Sequence, residues 1–274
     1  MQPRSKMVLV LKKHMKQGRF PMLSTLRSDI QRAVLSRGFL AGAFGMAIVI
    51  VLASTESLYT TFENAPQLPP GYHVELIRNA LSSDMVMFAV PILCALPFTP
   101  VFVDDIQSGF IKQFLPRCGV NAYILGKLLA CAISGGLVLL IGILLAYVLS
   151  TLGLTLLEDP FDGGIIATYS AIVLEKAALF LCSGMLWSLV GFTLASMTKS
   201  RYMAYAAPFV LYYILIIVHE RYFGAWYYLY PREWLNPSHF WILGDWGPVL
   251  LQSVFMIGFS ILFAIFAKRK LSNG

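Results

Sequence analysis

Six stretches of the chain, 38–54, 85–103, 128–149, 177–197, 202–218 and 247–267, are apolar almost throughout, and none alternates with the period of two that a half-buried strand would show. Crossing about 30 Å of hydrocarbon at 1.5 Å per residue takes roughly 20 residues, and a backbone in lipid must satisfy its own polar groups. Each stretch therefore predicts a transmembrane helix, with residues 149–157 extending the third outward. Ahead of the first, Leu23, Leu26, Ile30, Ala33 and Val34 recur at helical spacing with arginines between them. That is the pattern of an amphipathic helix lying in the headgroup plane. Residues 1–20 fit equally well as a disordered basic tail drawn to anionic lipid.

The connecting segments differ in character. Residues 55–84 hold the run APQLPPG and then a short helical pattern at 72–81, expected to lie on the membrane surface. Residues 158–164, EDPFDGG, read as a turn. The segment 220–246 carries Trp226, Trp234, Trp241 and Trp246, four of the chain's five tryptophans, with Phe223, Phe240 and several tyrosines. Rings of this kind settle at a membrane interface, where one edge is wet and the body apolar. An aromatic belt would explain them; Pro231 and Pro237 favour two short helices that re-enter the outer leaflet before the sixth span. Within the spans, Pro91, Pro97 and Pro100 remove three backbone donors and predict a kink or break in the second. Gly38/Gly42, Ala41/Gly45, Gly184/Ser188 and Gly191/Ala195 are small residues at four-residue spacing, which lets helices approach closely.

Composition agrees: 58% of the 274 residues are hydrophobic and only 13% charged, where soluble chains have roughly 25% charged. The net charge of +7 would suit nucleic acid, but the distribution of Lys and Arg decides against it. Seventeen of the 21 fall in residues 1–37, in the loop after the second span, in the 198–201 turn and after 267. Arg78, Lys176, Arg221 and Arg232 alone lie on the other side, with most of the acids. By the positive-inside bias both termini are cytoplasmic. The expected organisation is all-α: a basic tail and interfacial helix at 1–37, a six-span domain at 38–267 and a basic tail at 268–274, in a multi-pass protein of the cell membrane, of bacterial plasma-membrane type. The basic N-terminal region is too long for a cleavable signal. Cys94, Cys118, Cys131 and Cys182 have no paired spacing and read as free thiols.

No catalytic constellation emerges, so the chain is not expected to be an enzyme or to hold a metal or cofactor. Gly126-Lys127 lacks both the glycine spacing and the Ser or Thr of a phosphate-binding loop. His219-Glu220 lacks the second histidine of a zinc helix, and His14, His73 and His239 have no spaced partners. Glu175, beside Lys176 near the outer end of the fourth span, is a candidate for facing a transport route, together with Pro91 and Pro97 in the interrupted second span.

The polar island from 104 to 127 is more informative. Asp104 and Asp105 end the second span, where they can cap the turn that follows, and Ser108-Gly109 lets the chain bend. Phe110/Phe114 and Ile111/Leu115 are i,i+4 pairs on a short helix that Pro116 stops. Two apolar faces on one cytosolic helix predict that one docks in a protein groove. Asn121 can then cap the third span, and Lys127 can snorkel to the interface.

Asp104, Asp105, Gly109, Phe110, Leu115, Arg117, Gly126 and Lys127, between the second and third of six spans, resemble the pattern of the permease subunits of type-2 ABC exporters. The resemblance extends to the amphipathic segment before the first span and the interrupted aromatic segment before the sixth. It implies a dimer with a second permease copy or homologue and two cytosolic ABC ATPase subunits, which would bind ATP and Mg. The 104–122 loop, through Asp104, Asp105, Gly109, Phe110, Ile111, Phe114, Leu115 and Arg117, would serve as the coupling helix. The function expected is ATP-driven export of an amphipathic or hydrophobic substrate, such as an antimicrobial peptide, a lipid or a drug. A membrane-bound sensor or assembly scaffold without transport is the alternative. Ion-coupled carriage is disfavoured, because the spans carry no acid at mid-membrane.

Overall fold

In the computed structural model the residues described are 21–64, 68–111, 119–158, 163–241 and 243–272. The helices are α1 (Pro21–Val34), α2 (Arg37–Asn64), α3 (Tyr72–Leu81), α4 (Asp84–Leu93), α5 (Val101–Gln107), α6 (Val120–Leu154), α7 (Gly163–Thr198), α8 (Arg201–Arg221), α9 (Pro231–Leu235) and α10 (Gly247–Ser272). Single 3-10 turns at Tyr227–Leu229 and Gly244–Trp246 flank α9. Among the described residues there is no strand, only one isolated bridge between Leu68 and Glu158. Five helices, α2, α6, α7, α8 and α10, are long and apolar enough to cross a membrane, and the number rises to six if α3 and α4, bent by 66° at their junction, count as one span. The fold is thus all-helical and of multi-pass membrane character.

The apolar stretches underestimate helix length. α2 runs on to Asn64 through Ser, Thr and Glu, its hydroxyls satisfied by the helix's own carbonyls: Ser54 Oγ donates to the Ile50 carbonyl at 2.8 Å and Thr61 Oγ1 to that of Ser57 at 2.9 Å. Likewise α6 continues to Leu154, with Thr151 Oγ1 donating to the Tyr147 carbonyl at 2.8 Å, and α7 starts at Gly163, well before residue 177.

The second span is broken as its prolines predict: α4 ends at Leu93, turns occupy 94–100, and α5 restarts at Val101. Proline lacks the N–H that would bond one turn back and its ring strikes that carbonyl, so Pro97 and Pro100 prevent the helix from carrying through. The 72–81 helix has the expected bounds, and one of its faces is packed inside the protein while Glu75, Arg78 and Asn79 stay exposed. Its Tyr72, His73, Val74, Leu76, Ile77, Ala80 and Leu81 are buried, with Val74, Ile77 and Leu81 in the main core.

Small residues set the helix contacts. A Cβ on Gly184 would lie 2.6 Å from the Gly135 carbonyl oxygen, and one on Gly42 would lie 3.0 Å from that of Leu93 and 2.8 Å from a Val138 methyl. The α7–α6 and α2–α4 surfaces therefore meet backbone to backbone, and Gly191 meets the Ala204 carbonyl of α8 in the same way at 2.6 Å. A second core cluster at the α6 N-terminal end holds Phe102, Phe192 and Phe263, their ring centroids 4.6–6.1 Å apart, and joins α5, α7 and α10.

Candidate functional site

Directly beside that cluster lies a buried ionic junction. Tyr123 and Lys127, four residues apart, share one face of α6; Asp29 and Arg32, three apart, share one face of α1. Between them stands Asp105 of α5, its side chain 3% exposed. Asp105 Oδ2 accepts from the Tyr123 hydroxyl at 2.9 Å and pairs with Lys127 Nζ at 2.9 Å, while Oδ1 lies 3.5 Å from the Arg32 guanidinium. Lys127 Nζ also donates to Asp29 Oδ1 at 2.8 Å and sits 5.3 Å and 5.5 Å from the ring centroids of Phe98 and Tyr123. The Lys127 side chain is 2% exposed, so it does not snorkel; a carboxylate on either side replaces the water it gives up.

Consecutive residues on a helix point about 100° apart. Asp104 therefore faces away from Asp105, and its Oδ1 meets Arg201 Nε of α8 at 2.6 Å. The acidic pair is not a cap: it binds α5 to α1, α6 and α8. Asn121 does not cap α6 either; the N-cap is Gly119, without a side-chain bond. Past the pair, α5 ends at Ser108 and Gly109 turns the chain with φ +72°. Phe110 is 41% exposed whereas Ile111 is buried against the same core cluster, so the two faces of this segment part company there. Phe114, Leu115 and Arg117 lie outside the described residues.

The candidate route residues are not brought together. Pro91 and Pro97 are buried, Pro97 against the α2 backbone at Gly38, and Glu175 is exposed on α7. Its neighbour Lys176 is the better anchored: Nζ donates to Ser82 Oγ at 2.7 Å and to Asn236 Oδ1 at 2.8 Å, tying α7 to the α3–α4 elbow and to the end of α9. Arg232 adds a second tie from α9 to that elbow, 2.9 Å from Asp84. Nearby, the fully buried Glu158 carboxylate accepts from the backbone N–H of His73 at 2.7 Å and of Gly71 at 3.1 Å, and meets His73 Nδ1 at 2.8 Å. In the aromatic segment, burial alone would raise Glu233. Donation from the Ser238 hydroxyl and amide and from His239 outweighs it and leaves the carboxyl below its ordinary value.

Sequence spacing missed Asp29, Arg32, Tyr123, Lys176 and Glu158 as partners. The one available signal was that Asp29 is the sole acid among residues 1–37. A scan of protein-family models gives no match to the chain, and neither curated proteins nor solved structures give one.

Proposed function

We propose that the chain is the membrane-spanning permease subunit of an ATP-driven exporter of an amphipathic or hydrophobic substrate, moved by a separate ATPase through the 104–122 loop. One observation carries this reading: α5, which leads into that loop, is bonded by Asp104 and Asp105 to α1, α6 and α8 at once. A push on the loop is then shared by the interfacial helix and by two long apolar helices instead of bending one linker. Closure of the ATPase dimer would tilt the first, second and fifth spans against a second permease copy. The exposed Tyr202, Tyr205, Phe209 and Tyr213 on one face of α8 suit that contact.

Phe110 and Phe114 supply the docking face. Phe110→Asp and Phe114→Asp should each abolish capture of a nucleotide-binding subunit after mild detergent extraction from native membranes, while the chain itself still folds and inserts. Capture undiminished by both substitutions overturns the docking assignment. No such subunit captured by the unsubstituted chain turns the reading to a sensor or scaffold.

A further inference from the structure

At the end of the bundle away from the ionic junction, α3, the Pro70–Gly71 turn and α7 border a cavity of about 220 Å³. Its wall is mixed: Glu75 and Arg78 bring one charge of each sign, and Pro70, Val74 and Ile172 are apolar. Positions 74, 75 and 78 share one face of α3. The two charges make little use of each other. Arg78 Nη2 stands 3.9 Å from Glu75 Oε1, the side chains are 48% and 57% exposed, and among the described residues neither has another ionic partner. A pair this long and this wet contributes little and is easily parted. Lys176 lies one turn beyond Ile172 on α7, close enough for its charge and that of Arg78 to repel, and its own partners, Ser82 and Asn236, are neutral. The Gly71 side of the wall is fixed independently. Gly71, at φ +78°, gives its N–H to the buried Glu158 carboxylate, which is spent on that bond, on the His73 N–H and on the His73 ring. The cavity therefore offers an anion Arg78, backed by Lys176, and offers a cation Glu75.

We propose that this cavity binds the headgroup of a phosphatidylethanolamine lipid, its phosphate on Arg78 and its ammonium on Glu75. Charge decides the class. An anionic headgroup would leave Glu75 unmatched and a cationic one would meet Arg78 and Lys176, whereas a zwitterion with its charges a short bridge apart answers all three. The ammonium decides between zwitterions: a primary one donates to the Glu75 carboxylate, and a trimethylated one has no N–H to give. Pro70, Val74 and Ile172 suit the glycerol and the first acyl carbons. Position favours a lipid. Arg78 and Ile172 each lie one to two turns ahead of an apolar stretch, those at 85–103 and 177–197, which is the depth of the headgroups. A lipid bound there would hold α3 to α7 alongside the Lys176 tie.

Native mass spectrometry of the full chain, released from detergent micelles carrying one added lipid at a time, tests this directly. Dioleoyl phosphatidylethanolamine should bind about tenfold more tightly than dioleoyl phosphatidylcholine, the difference of one charge-assisted hydrogen bond. Glu75→Gln should bring that ratio close to one, and Arg78→Gln should weaken both lipids; both side chains are exposed, so neither change threatens the fold. Equal binding of the two lipids by the unsubstituted chain overturns the proposal, a comparison that needs no variant, and so does a preference that survives Glu75→Gln. Tighter binding of dioleoyl phosphatidylglycerol than of phosphatidylethanolamine also overturns it, because that is the behaviour of a plain anion site. Glycerophosphoethanolamine, the same headgroup without acyl chains, should compete poorly; competition equal to that of the lipid makes the ligand a soluble one and overturns the assignment to the membrane. A phosphatidylethanolamine preference in a chain that captures no ATPase leaves this inference standing and removes only the permease reading.

Discussion

At one end of the bundle Lys127 sits between two carboxylates, out of water and under two aromatic rings; at the other, Lys176 rests half-buried on a serine hydroxyl and an asparagine amide oxygen. Both lysines join three elements, yet the physics differs. Charges paired in a dry interior are strongly interdependent: removing one leaves the others buried and unmatched. A lysine on neutral acceptors can surrender them to water at small loss, because its ammonium and both partners stay close to solvent. The first arrangement makes a stiff joint, the second a tether that can yield. In the permease reading proposed above, the loop that would transmit force lies on the stiff side.

Breaking the stiff joint should have the largest effect. Lys127→Ala strands Asp29 and Asp105 and should lower stability by about 3–5 kcal/mol, read as an earlier thermal unfolding midpoint in detergent. A loss no greater than that of an exposed lysine would erase the distinction between the two ends. Lys176→Met should cost about 1 kcal/mol, with hydrogen exchange accelerated at Ser82 and Asn236 and unchanged at Tyr123. The smallest effect is local and depends on pH. Glu233 is held below its ordinary value by Ser238 and His239, so its contribution is full above the usual carboxylate range and is lost as pH falls through its folded-state value. The 231–241 segment should therefore loosen on acidification below the usual carboxylate range, seen as a change in tryptophan emission, and Glu233→Gln should remove the step.

The spans were legible because hydropathy averaged over a span outweighs any single residue, and the break in the second was legible because proline acts locally on its own helix. Close packing at Gly42, Gly184 and Gly191 was legible for a similar reason, since small residues at four-residue spacing mark one face. The junction was not. Asp29 and Lys127 are 98 residues apart, and nothing in the local pattern distinguishes a lysine that reaches the headgroups from one that meets two carboxylates inside. The outer end of α2 was misjudged because its Ser, Thr and Glu residues look like a loop, whereas the outward extension of α6 over 149–154 was legible from its leucines. The cavity between α3 and α7 escaped notice because it takes its wall from both helices, and neither pattern alone marks it.

The most direct test of the junction is to neutralise it whole. Asp29→Asn, Asp105→Asn and Lys127→Met in one chain remove the three buried charges of the junction together, and the unfolding midpoint of this triple variant is measured beside that of each single one. The account predicts that the triple variant recovers most of what Lys127→Met alone loses, leaving a coupling term on the order of 2 kcal/mol or more. Losses that simply add would contradict it, and would mean that these three side chains do not act as one unit.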